Sequence, residues 1–181
     1  MASDVSTDDV LGQEFLTWLW YQSDVAPGSF VDAKGEPFGV SMEQRIVVQG
    51  GSGETKETAS VSGTFSALSE ARFGLATGKK VTRAQIHFEK EAMAFQITLK
   101  ANDFALGSMK TPKVEKNADA EGATEDPDAL FLEKVYLLEV GVGLLDSLYK
   151  TFLNLRFSEN WDSVVLQIRK WLETPTSAAN P

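Results

Sequence analysis

Cysteine is absent from all 181 residues, and histidine occurs once, as His87. The first absence excludes disulfides, zinc ribbons, iron–sulfur clusters and thiol nucleophiles, and fits a reducing cytoplasm. The second leaves a Ser/His/Asp triad only one base to use and rules out a site of several histidine ligands. His87 falls on the polar side of an alternating run, and no serine lies in a nucleophile-elbow context for it to activate. Nor does any spacing single out a carboxylate pair among the 26 acidic residues. Long apolar runs are missing too: Ala129 to Leu155 is the most apolar stretch, and Glu133, Lys134, Glu139, Asp146 and Lys150 interrupt it. A span needs roughly 20 uncharged residues, so no membrane insertion is expected. Asp4, Asp8 and Asp9 precede the first apolar segment where a secretory signal would be basic, which predicts a cytoplasmic protein. These absences predict no enzyme: no catalytic residues, metal, cofactor or small-molecule substrate is indicated.

Positive charge is also scarce, at 17 Lys and Arg against 26 Asp and Glu, but it is not evenly spread. Between Arg72 and Lys116 nine basic residues face four acidic ones, a local net charge of +5 inside a chain of net charge −9. Residues 1–71 carry −8 and residues 117–181 carry −6. An all-over nucleic-acid coat is therefore excluded, whereas a local anion-binding face in the middle third is not.

With 43% hydrophobic residues, the chain is long enough for one domain with a real core, expected over 1–174 with a disordered tail at 175–181. A helix is predicted from Ser6, its cap, to Gln22, with Leu11, Phe15, Trp18, Leu19 and Gln22 at spacings of three and four. Trp20 and Tyr21 widen its apolar face so far that a second surface must cover it. Period-two alternation then marks Met42 to Gln49 and Thr55 to Phe65 as a hairpin about Gly50–Gly53. A helix follows from Ser66 to Thr77, ended by Gly78. The clearest strands run through Ala84, Ile86 and Phe88, and through Met93, Phe95, Ile97 and Leu99, with a short one at Phe104 to Met109. Residues 113–128 read as an exposed acidic linker. Pro127 opens a helix to about Arg156, where Gly141 and Gly143 predict close backbone contact, a kink or a break. Asn160 is expected to cap a last helix whose stripe is Trp161, Val164, Val165, Ile168 and Trp171. The expected fold is α+β: an antiparallel sheet of about four or five strands, covered on one face by the N-terminal helix and two C-terminal helices.

Two near-motifs fail on physical grounds. Gly74 to Lys80 resembles a phosphate loop, yet it has one residue too few between its glycines and ends a helix where it should start one. Asn117, Asp119, Glu121, Gly122, Glu125 and Asp128 fall at calcium-loop positions, but no entering helix precedes them. The basic middle is stronger. Arg83, His87 and Lys100 share the polar face of the strand pair with Gln85, Gln96 and Thr98, Lys79 and Lys80 enter from one end, Lys90 caps the turn, and Lys110 and Lys113 follow. Cations, amides and a hydroxyl on a sheet can hold duplex phosphates without reading bases. The candidate DNA-binding set is therefore Lys79, Lys80, Arg83, His87, Lys90, Lys100 and Lys110.

Phe15-Leu16-Thr17-Trp18-Leu19-Trp20, together with Glu70-Ala71, Gly78-Lys79 and Val81-Thr82-Arg83 leading into a strand pair, resembles the C-terminal part of the bacterial recombination-associated protein RdgC family over roughly residues 10–157. The resemblance implies an α+β, cytoplasmic, DNA-associated protein. It also implies dimerisation into a ring with a basic hole around duplex DNA, and modulation of recombinase loading instead of catalysis. It carries a phosphate-contacting role onto Lys79 and Arg83. The matching part lacks the half that helps close such a ring, and the net acidity opposes encirclement, which suggests a shortened relative with another job. The alternative expectation is a protein–protein adaptor or homodimer that uses its aromatic-rich helices.

Overall fold

The computed structural model describes residues 7–51, 57–62, 65–113 and 127–174. Helix α1 spans Thr7–Val25 and leads through β1 (Phe30–Val31) to the long strand β2 (Pro37–Gly50) and then β3 (Glu57–Ser62). Helix α2 (Phe65–Ala76) precedes β4 (Lys80–Lys90), β5 (Met93–Lys100) and β6 (Leu106–Lys110), and helices α3 (Pro127–Arg156) and α4 (Trp161–Glu173) follow. The strands form one antiparallel sheet in the order β1-β2-β4-β5-β6, with β3 also paired to β2. That makes six strands, one more than the upper expectation. The addition is the two-residue β1, too short to leave a periodic signal.

Alternation splits the sheet into two faces. Val81, Ala84, Ile86 and Phe88 on β4 and Phe95, Ile97 and Leu99 on β5 are fully buried, and join Ile46 and Val48 of β2 in one core. Helix α1 lies over β2 and β4. Its other side meets α3 and α4: Phe152 packs 5.5 Å from Phe15 and 5.7 Å from Trp18, and Trp171 sits edge-on to Trp20 at 5.5 Å. Aromatic pairs of this kind add about 0.5–1.5 kcal/mol beyond their buried area. So Trp20 and Tyr21 do have the second surface that their number demands. The covering layer differs from expectation in one respect. Helix α2 also packs on β2 and β3, while α4 makes its main contacts with α1 and α2.

The helix ends follow from local chemistry. At the end of α2, Gly78 adopts φ +96, its N–H donates to the Leu75 carbonyl at 3.0 Å, and the Lys79 N–H donates to the Gly74 carbonyl at 3.0 Å. This is the left-handed glycine stop known as the Schellman motif. Asn160 departs from expectation: its backbone is already helical and its side chain makes no capping bond. The Oγ of Ser158 instead accepts from the Asn160 N–H at 3.3 Å. Helix α3 runs unbroken past both glycines. Gly141 allows a close approach, since a methyl there would lie 2.3 Å from Met109 Cε and 3.0 Å from Phe95 Cδ1, whereas Gly143 faces open space. Residues 114–126 of the expected 113–128 linker lie outside the described residues, and with them every calcium-like position except Asp128, which belongs to the first turn of α3; Ser6 and the 175–181 tail lie outside them too. Among the described residues no helix is long and apolar enough to cross a membrane.

Candidate nucleic-acid interface

The helices pack on the apolar side of the sheet, so the opposite side of β4, β5 and β6 keeps its polar side chains toward solvent. Strand register arranges these in rows. Arg83 stands opposite Lys100, Gln85 opposite Thr98 and then Ser108, and His87 opposite Gln96 and then Lys110. Ser108 Oγ donates to Thr98 Oγ1 at 3.0 Å, fixing the middle row. At about 3.4 Å per residue, the Arg83 and His87 rows lie roughly 14 Å apart. His87 Nε2 approaches Glu89 Oε1 at 3.1 Å, so its end of the face is the less basic one.

Arg83 and Lys100 are the notable pair. Like charges directly opposite each other on adjacent strands are destabilising by a few tenths of a kcal/mol or more. Among the described residues, neither Arg83, Lys100 nor Lys110 has an acidic side chain in salt-bridge range. Arg45 adds a further cation and is exposed, as are Arg83 and Lys110, whereas Lys100 is half-buried. It directly precedes the buried Ile46, and alternation puts it on the outer side, beside the Val47 that pairs with Arg83. Sequence reasoning passed over Arg45 because it lies in the acidic first third of the chain. Its alternation with Ile46 was the available signal.

The remaining candidates are placed differently. Lys90 is drawn away from the face: its Nζ donates to Asp32 Oδ2 at 2.5 Å and Glu36 Oε2 at 2.6 Å, and its side chain is only 12% exposed. Asp32 also accepts from the Lys34 and Glu36 backbone N–H groups. The Lys90 bond first, and those backbone bonds after it, hold its carboxyl at about 2. Lys90 therefore ties β4 to the β1–β2 turn and has no charge to spare for a phosphate. Lys79 is paired with Glu57 at 3.1 Å. Lys80 is exposed at the start of β4, opposite Gln49. Together Lys79 and Lys80 edge a cleft of about 520 Å³ between α1, the end of α2 and α4, which Trp161, Ile168, Glu14 and Arg169 also line. The structure thus brings Arg83, His87, Lys100 and Lys110 onto one face and draws Lys90 away from it, while Lys80 stands opposite Gln49, two β2 positions beyond the Val47 that pairs with Arg83, and Lys79 is engaged by Glu57.

Among the described residues, no group of three or more His, Asp or Glu side chains is arranged to hold a metal ion. The face offers cations, amides and hydroxyls for contact with an anion. The chain matches no family model, no curated protein and no solved structure.

Proposed function

We propose that this protein is a non-enzymatic, DNA-associated protein that meets duplex phosphates on the outer face of its sheet, without sequence preference. Arg83 and Lys100 form the centre of the contact, Lys110 and Arg45 extend it, and Gln85, Gln96 and Thr98 supply neutral hydrogen bonds to phosphate and sugar oxygens. The observation that carries this reading is the unneutralised Arg83–Lys100 pair: a polyanion seated there relieves a repulsion that the folded chain otherwise bears. A role beside recombination, in the cytoplasm of a bacterium, is the wider setting that we propose for it, in keeping with the RdgC resemblance.

Gel-shift titration of duplex DNA at two salt concentrations tests it. Each phosphate neutralised adds about −0.9 to the slope of log affinity against log salt, so three or four contacts predict a slope near −3. Arg83→Glu with Lys100→Glu should abolish the shift while the circular dichroism spectrum stays unchanged. No binding at low salt, or binding indifferent to ionic strength, overturns the reading.

A further inference from the structure

The first half of α3 carries an apolar stripe that nothing in the described structure covers. Phe131 is 64% exposed, and Leu138 and Val142 are each 44% exposed. With the half-buried Val135 they step along the helix by four, three and four residues, a heptad seam about 16 Å long. A different stripe, through Leu137, Gly141, Leu144 and Leu148, faces the core, so the exposed one is surplus to the fold.

We infer that this seam is the docking surface for a second copy of the chain, with the two α3 helices side by side, parallel and in register. Three features select that occupant. The seam alternates β-branched and other apolar residues: Val135 and Val142 occupy the positions where two-stranded parallel coiled coils favour β-branched residues, and Leu138 the one where they favour leucine. Its flanks are complementary. Lys134 and Glu139, both exposed, stand on opposite edges of the seam five residues apart, which in a parallel pair sets each Lys134 against the partner helix's Glu139. Neither side chain has an ion-pair partner among the described residues. Leu132 borders the same seam, whereas Tyr136 lies off it. Four apolar layers bury less than the roughly 800 Å² per partner of a stable assembly, so association is weak and concentration-dependent. The inference stands independently of any contact with DNA.

Sedimentation velocity from about 1 µM to about 1 mM should show a monomer passing into a dimer. Leu138→Glu, a substitution at an exposed site, should leave a folded monomer throughout, and Tyr136→Glu should change nothing. Lys134→Glu alone and Glu139→Lys alone should each weaken the dimer about tenfold, and the double exchange should restore it. Orientation is read with single cysteines in a chain that has none of its own. Phe131→Cys and Val142→Cys should each form a disulfide dimer on oxidation, because in a parallel pair every layer faces its own copy. A monomer at all concentrations, a dimer indifferent to Leu138→Glu, failure of the double exchange to restore association, or cross-linking at only one of the two cysteines overturns the inference.

Discussion

Three helical glycines should respond in three different ways to the same substitution. Gly12 lies where α1 crosses the turn after β5, and a methyl there would sit 1.9 Å from the Ala101 carbonyl oxygen, which is backbone. Normal carbon–oxygen contacts are about 3.3 Å or longer, so α1 must move by more than about 1 Å over a turn whose Ala101 N–H is bonded to Thr82. Overpacking costs about 3 kcal/mol in such a case, against about 1 kcal/mol returned by helix propensity, a net loss near 2 kcal/mol. At Gly141 the nearest atom is the flexible end of Met109, with the Phe95 ring edge behind it. The cost there is about 1–2 kcal/mol, which the propensity gain largely offsets. Gly143 has nothing within 4 Å, so alanine should stabilise by about 0.5–1 kcal/mol. Guanidinium denaturation by linear extrapolation measures all three, and midpoint temperatures should shift by about 2–4 °C per kcal/mol. If Gly143→Ala loses stability, or Gly12→Ala is neutral, the assignment of one glycine to close packing and the other to an idle position is wrong.

Asp32, held at about 2, supports the fold in its ionised form. Its contribution is complete above the ordinary carboxylate value of 3.8 and is lost as pH falls toward 2, so Asp32→Asn should flatten the acid-side loss of stability between about pH 4 and 2. An unchanged slope refutes that. Arg72 is buried between α2 and α4, with Nη2 donating to the Trp171 carbonyl and, at 3.3 Å, to that of Thr174. Arg72→Met should cost about 2–4 kcal/mol by equilibrium denaturation. The loss should be larger at pH 7 than at pH 4: burial already raises the Asp24 carboxyl, and without Arg72 its ionised form loses a favourable partner. Lys90→Met should leave DNA affinity untouched, while Lys100→Glu should lower it and shrink the salt slope by about 1, both read by gel shift.

What the sequence made legible depended on whether the information was local. The β4–β5 pair was readable because strict alternation meets a two-residue turn at Glu91 and Ala92, where Glu91 takes a left-handed backbone. The α2 stop was readable because the left-handed backbone of Gly78 lets its own N–H and that of Lys79 satisfy two orphan carbonyls. The continuity of α3 was not, since propensity penalises Gly141 and Gly143 alike, and only the neighbouring Met109 and Phe95 distinguish them. For the same reason Asn160, a good capping residue by type, lost that role to Ser158, which the preceding turn had already placed.

The candidate site divides along the same line. A charge count along the chain treats Arg83 and Lys90 as equivalent members of one basic window, and both belong to β4. They differ only in what the fold brings from elsewhere. Lys90 meets Asp32 and Glu36, more than fifty residues away in sequence, whereas Arg83 meets Lys100. Neutralisation is thus a tertiary property, and the acidic first third of the chain spends part of its charge on locking one end of β4. At the other end Glu57 engages Lys79, but among the described residues no acidic side chain reaches Arg83 or Lys100. The surplus positive charge of that pair survives folding in a molecule of net charge −9, and that segregation favours the Arg83–Lys100 end over the Lys90 end as the place where an anion would bind.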